Sequence, residues 1–273
     1  MKSIVGQLTK LEFKSIFRNK HNIMWGIGYT VIWIFVYAFA FPAPPQEYKL
    51  GYLASYVSFI VLLGGSTAVI PASYRVAIDA LPHIYLYRST NASLYSFIIS
   101  ILVPVFIFGA LISTISFIVG YLVFEYSYGI FPAVNLIILL IALIEVTFFY
   151  ISFGIFMSYI LLNLKGIKLL RYIEMIPTVL ILGLILGLQI MRSPSLELLY
   201  ISPFNAIYTA FVISITGTGY SSIMFNNLAI QNIYLLLSPI LWAGMLLILS
   251  IVFYHIYYLS SAKNEFKLED LYA

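Results

Sequence analysis

What most restricts this chain is a series of long segments without a single Asp, Glu, Lys or Arg: residues 21–46, 50–74, 89–124, 126–144, 146–164, 175–191 and 198–262. Each approaches or exceeds the roughly 20 residues that a helix needs to cross about 30 Å of hydrocarbon. Charged side chains make up only 9% of the 273 residues, against about 25% in soluble domains. No stretch alternates apolar and polar residues for long enough to build a membrane barrel, so helices must carry the crossings. The expected fold is an all-α, polytopic membrane protein.

Six transmembrane helices are predicted: Ile23–Phe41, Leu50–Ala72, Leu94–Phe124, Pro132–Leu164, Ile173–Met191 and Ile233–Ser260. With the N-terminus cytoplasmic, twelve of the fourteen Lys and Arg fall on the inner side, and only Lys49 and Arg192 fall outside. Every loop then obeys the positive-inside tendency, which predicts a multi-pass protein of the cell membrane with both termini cytoplasmic. Residues 1–22 form an interface segment, 23–260 the six-span domain, and 261–273 a cytoplasmic tail. An inner loop covers 73–93 and an outer loop 192–232. Within that outer loop, Ser202-Pro203-Phe204-Asn205 interrupts the apolar run that ends near Ile215. This predicts a short interfacial or re-entrant helix instead of a seventh crossing.

The first twenty residues read as an amphipathic helix on the inner membrane surface. Ile4, Leu8, Leu11 and Ser15 or Ile16 form its apolar stripe, while Lys10, Lys14 and Arg18 recur at i, i+4 and i+8 on a basic one. A purely topological charge cluster is the plainer reading of the same residues. The inner loop carries Arg75 and Asp79 at helical i, i+4 spacing, Ile78 and Leu81 on an apolar face, Pro82 as a break, and His83 and Arg88 beyond it. Mixed charge beside apolar side chains suits a docking surface for another protein, or a connector packed on the bundle ends. Glu145 is the one carboxylate deep inside a predicted span, so it is expected to face the bundle interior, a partner subunit or a wet cavity, or to be protonated. Pro104, Pro177 and Pro239 lie within spans and allow kinks. The 23 Tyr and 21 Phe exceed what interfacial belts need, so some are expected to line an internal face.

Several chemistries find no support in the residues. There is no cysteine, no GxxxxGK[ST] phosphate loop and no GxSG turn, and His21, His83 and His255 stand at span ends far apart in sequence. No metal site, catalytic residue or nucleic-acid partner is expected. Thr216-Gly217-Thr218-Gly219-Tyr220 has the wrong residue order for a carbonyl-lined ion filter.

Three segments carry a resemblance: Leu11-Glu12-Phe13-Lys14-Ser15-Ile16-Phe17-Arg18-Asn19-Lys20 before the first span, Arg88-Ser89-Thr90-Asn91-Ala92-Ser93-Leu94-Tyr95 entering the third, and Leu199-Tyr200-Ile201-Ser202-Pro203-Phe204-Asn205-Ala206-Ile207-Tyr208 before the last. With the six-span plan they make the chain similar to the ABC-2 type permeases of ATP-binding cassette exporters. That family often has an acidic cluster followed by Gly-Thr after the second span, whereas this chain has Asp79-Ala80-Leu81. The resemblance implies a dimeric permease with no ATPase activity of its own. ATP and Mg would sit on a separate ATPase subunit, and the second permease chain would be identical or paralogous. It also implies coupling through Arg75, Ile78, Asp79, Leu81, His83 and Arg88, with membrane lipid around the interface helix. A transporter driven by an ion gradient through Glu145, and a membrane-embedded enzyme or assembly factor, are the alternative readings.

Overall fold

The computed structural model describes residues 4–40, 43–77, 94–164, 169, 172, 175–181, 202–217 and 233–263, with backbone alone at 4, 94–97, 233–236 and 258–263. All of the regular structure in these residues is helical. Five helices are long and apolar enough to cross a membrane. An amphipathic helix, α1 (Ile4–Arg18), precedes α2 (Lys20–Phe39), α3 (Gln46–Ala77), α4 (Leu94–Tyr128) and α5 (Leu136–Asn163). The short α6 (Pro203–Thr216) and the long α7 (Ile233–Lys263) complete the order. The expected span Ile173–Met191 is described over 175–181, which is helical.

Two features mark the bundle as built for lipid. Exposed apolar side chains on α4 recur at Ile99, Val103, Ile107, Leu111, Ile118 and Leu122, a stripe about 35 Å long, the depth of a bilayer's hydrocarbon. Inside, hydroxyls are spent on the backbone one turn earlier: Thr30 on Gly26, Ser58 on Ala54, Ser116 on Ile112, Thr147 on Leu143 and Ser250 on Leu246, all at 2.6–2.8 Å. Such back-bonding lets a polar residue lie in an apolar helix without an unmet donor.

The bundle is arranged around α3, whose residues are buried almost throughout, while only about a third of the residues in the apolar stretches of α2 and α7 are buried. Close approach to α3 depends on small residues. A Cβ on Gly154 of α5 would meet the Val69 carbonyl oxygen at 2.9 Å, and one on Gly109 of α4 would meet Ala68 Cβ at 2.9 Å. These are the small-residue contacts that let membrane helices pack backbone to backbone.

Helix ends explain where the boundaries differ from expectation. The α1 helix stops at Arg18 because Asn19 leaves helical geometry and its side chain accepts from the His21 amide, so the first span begins at Lys20. Asn135 caps α5 in the same way, starting it at Leu136 instead of Pro132. The second span runs past Ala72 to Ala77, so residues 73–77 belong to its helix and not to a separate loop. At the opposite end of the bundle from α1, Lys49 Nζ donates to the Tyr128 carbonyl at 2.8 Å, placing a cation on the C-terminus of α4.

Ser202 and Pro203, expected to break a helix, start one. Ser202 caps α6, its hydroxyl accepting from the Asn205 amide, and Pro203 occupies the first turn, where its missing N–H costs nothing. Its 14 residues span about 21 Å, too short to cross. Phe204 meets Phe149 at 5.2 Å, and the Asn135 amide donates to the Ser214 carbonyl at 2.7 Å. The helix therefore starts level with the middle of α5 and ends level with its beginning, packed among α3, α5 and α7. Gly217 closes it with φ of 69°, a left-handed cap that favours glycine.

Candidate functional site

The basic stripe of α1 is placed as expected, with Lys10, Lys14 and Arg18 all exposed. The apolar stripe is rotated. Leu11 is 62% exposed and Ser15 is exposed, whereas Glu12 and Ile16 are buried. The cause is Arg75 on α3. Its Nε donates to Glu12 Oε2 and its Nη2 to Glu12 Oε1 at 2.6 Å, a two-pronged pair that turns the Glu12 side of α1 inward. Phe17 adds an edge-on contact with Phe108 of α4, with ring centres 5.6 Å apart, and itself stacks on Phe13.

The sequence reading missed Glu12. Its signal was present: a lone acid among Lys10, Lys14 and Arg18, on the face that the hydrophobic stripe should own. Asp79, the expected partner of Arg75, lies outside the described residues, as do Ile78, Leu81, His83 and Arg88. Of the expected coupling residues only Arg75 is described, and it sits on the last turns of a membrane-spanning helix. A guanidinium is tolerated there because a carboxylate meets it with matched geometry.

Glu145 is buried by protein, at 1% exposure, while the adjacent Ile144 is 54% exposed. Among the described residues neither carboxyl oxygen has a hydrogen-bond partner. Ser113 Oγ on α4 and the Tyr150 and Tyr159 hydroxyls on α5 are among the other buried polar atoms that share that condition. Ser113 and Tyr150 converge on Gly65 of α3, where an added Cβ would lie 3.2 Å from Ser113 Oγ and 3.3 Å from the Tyr150 ring. Ser113 of α4 and Tyr150 of α5 thus bring two polar groups without hydrogen-bond partners among the described residues against α3, a pattern that stable apolar cores avoid.

Aromatic residues do line internal surfaces. Tyr56 stacks on Phe124 at 5.5 Å, Tyr37 lies 5.3 Å from Tyr56, and Phe124 is 5.6 Å from Tyr128, joining α2, α3 and α4. On α2 the rings of His21, Trp25, Tyr29, Trp33 and Tyr37 follow one another at every fourth residue, 5.4–6.1 Å apart. Four residues normally overshoot one helical turn, so such a stripe winds round the helix. The π-helical turn Met24–Tyr29 is wider, which keeps Trp25 and Tyr29 more nearly in line with His21.

No group of three or more His, Asp or Glu that could hold a metal occurs among the described residues. Comparison with models of known families, with curated proteins and with solved structures finds no match to this chain.

Proposed function

We propose that the chain is the membrane subunit of an ATP-driven exporter of the ABC-2 type, working as a dimer in the cell membrane with both termini cytoplasmic. ATP and Mg belong to a separate ATPase subunit. The observation that carries this reading is the Glu12–Arg75 pair. It joins a basic surface helix rigidly to the end of the most buried membrane helix, so a push on the surface reaches the centre of the bundle. Residues 78–88 follow directly from that helix end and are the natural place for the push to arrive. The half-length α6, read as a re-entrant helix before the last span, supports the same reading. So do the sparsely buried α2 and α7, which leave faces for a second permease chain.

Co-reconstitution with ATP-binding cassette subunits from the same genome tests this. An ATPase that co-purifies with the chain should hydrolyse ATP faster in its presence, and Asp79→Lys and Leu81→Ala should lower that stimulation without preventing insertion. Stimulation at the wild-type level in both variants would refute docking at this loop and shift it to Lys10, Lys14 and Arg18.

A second reading, transport coupled to an ion gradient, is favoured by one observation: the lipid-shielded Glu145 carboxyl without a hydrogen-bond partner among the described residues. Under it, proteoliposomes should show gradient-driven transport that Glu145→Gln abolishes.

A further inference from the structure

Two cavities, each of about 260 Å³, lie one above the other between α2 and α3 at the α1 end of the bundle. The lower one is mixed, with Asn19, His21, Asn22, Tyr74 and Arg75 beside Ile16 and Pro71. The upper one is largely apolar and is lined by Trp25, Tyr29, Thr67, Met175 and Val179. Ile70 lines both, so they adjoin as a two-part groove. The stripe of every fourth residue on α2 links them too, with His21 in the lower part and Trp25 and Tyr29 in the upper.

Their chemistry changes with depth. From Arg75 to Ser66 the groove follows nine residues of α3, about 13 Å, close to the hydrocarbon depth of one leaflet. Two of the upper hydroxyls bond their own helix: Ser66 donates to the Leu63 carbonyl and Thr67 to the Gly64 carbonyl, both at 2.7 Å. Arg75 lines the lower cavity and is paired with Glu12, while the exposed Arg18 and Lys20 flank its lining residues Asn19 and His21 in sequence, so three cations and one carboxylate belong to this end of the bundle. Met175 and Val179 are 57% and 61% exposed, so the upper cavity lies on the side of the bundle where lipid would stand.

We propose that this groove binds an anionic phospholipid of the leaflet on the α1 side, with the phosphodiester in the lower pocket and an acyl chain against Trp25 and Tyr29. A cavity holding Arg75, His21 and two asparagines, flanked by Arg18 and Lys20, next to an apolar cavity with Trp25 and Tyr29 over one leaflet's depth, matches both halves of such a molecule and neither half alone. The site stands on the groove itself and does not depend on the transport reading.

The test uses the full chain in phosphatidylcholine nanodiscs containing a minority of phosphatidylglycerol with a diazirine on its acyl chain. After irradiation, adducts should map to Trp25, Tyr29, Met175 or Val179. The matching phosphatidylcholine probe should label them several-fold less. His21→Glu, at an exposed position, should reduce phosphatidylglycerol labelling about fivefold. Val179→Trp, at the exposed rim, should suppress adducts at Trp25 and Met175, while Leu122→Trp on the far stripe of α4 leaves them unchanged. Equal labelling by the two lipids, or unchanged labelling in both groove variants, would overturn the proposal. Displacement of the probe by glycerol phosphate as readily as by the intact lipid would also overturn it, because the pocket would then be a free-phosphate site.

Discussion

Glu12 and Arg75 lie 63 positions apart in sequence and meet through two parallel hydrogen bonds that fix α1 against α3. With Glu12 buried and the Arg75 side chain 23% exposed, the pair lies between surface ion pairs, which contribute little, and fully buried ones, where losing one partner costs most. Arg75→Met should therefore destabilise the protein by about 2–3 kcal/mol. The double variant Glu12→Met, Arg75→Met should recover much of that loss, because it leaves no carboxylate stranded. Thermal unfolding in mild detergent measures the cycle; losses that simply add would mean the two residues are not coupled.

Gly154 presses against backbone, and backbone cannot move aside as a side chain can. Its added Cβ would meet the Val69 carbonyl at 2.9 Å and Val69 Cα at 3.2 Å. Gly154→Ala should cost about 1–3 kcal/mol and Gly154→Leu should prevent assembly of α5 on α3. Gly244, with nothing within 4 Å of its added Cβ, is the internal control, and Gly244→Ala should be neutral or mildly stabilising. The yield of monodisperse protein and its melting temperature distinguish the two sites.

Glu145 keeps a carboxyl group in an interior that offers it no partner among the described residues. Its replacement by an apolar side chain of similar size should remove a desolvation penalty. Glu145→Leu is expected to raise stability by about 1–3 kcal/mol, with Glu145→Gln closer to wild type. A loss of stability in Glu145→Leu would reveal a partner supplied by another chain or by residues outside those described.

The absence of cysteine makes topology directly measurable. Single cysteines at Lys49, Glu125 and Ser221 should be labelled from one side of the membrane by an impermeant maleimide. Those at Ser93, Lys168 and Asp270 should be labelled from the other, as six crossings with both ends cytoplasmic require. Labelling of Ser221 and Asp270 from the same side would exclude six.

Much of the architecture was legible in the chain because transfer into lipid is decided residue by residue. Uncharged runs of sufficient length, Pro104 and Pro239 within them, and the exposed Lys10, Lys14 and Arg18 stripe all follow from local composition and helical period. Four of the spans were placed within a few residues, and the shifts trace to caps at Asn19 and Asn135, which a hydropathy reading does not weigh. The short helix before the last span was also expected, though Ser202 and Pro203 were read as its interruption and act as its start.

Tertiary structure decided which faces meet. The hydrophobic stripe of α1 pointed to Leu11, yet an ion pair with a residue 63 positions away outweighs one leucine and buries Glu12 instead. The aromatic stripe of α2 is kept more nearly in line by a π-helical turn, and the two-part groove exists only because Trp25 and Tyr29 of α2 come opposite Thr67 and Ile70 of α3. Composition determines that these segments enter a membrane, because each residue's transfer energy is nearly independent of its neighbours. Rotation about each helix axis is set by a few long-range contacts of comparable energy, and only the assembled bundle selects among them.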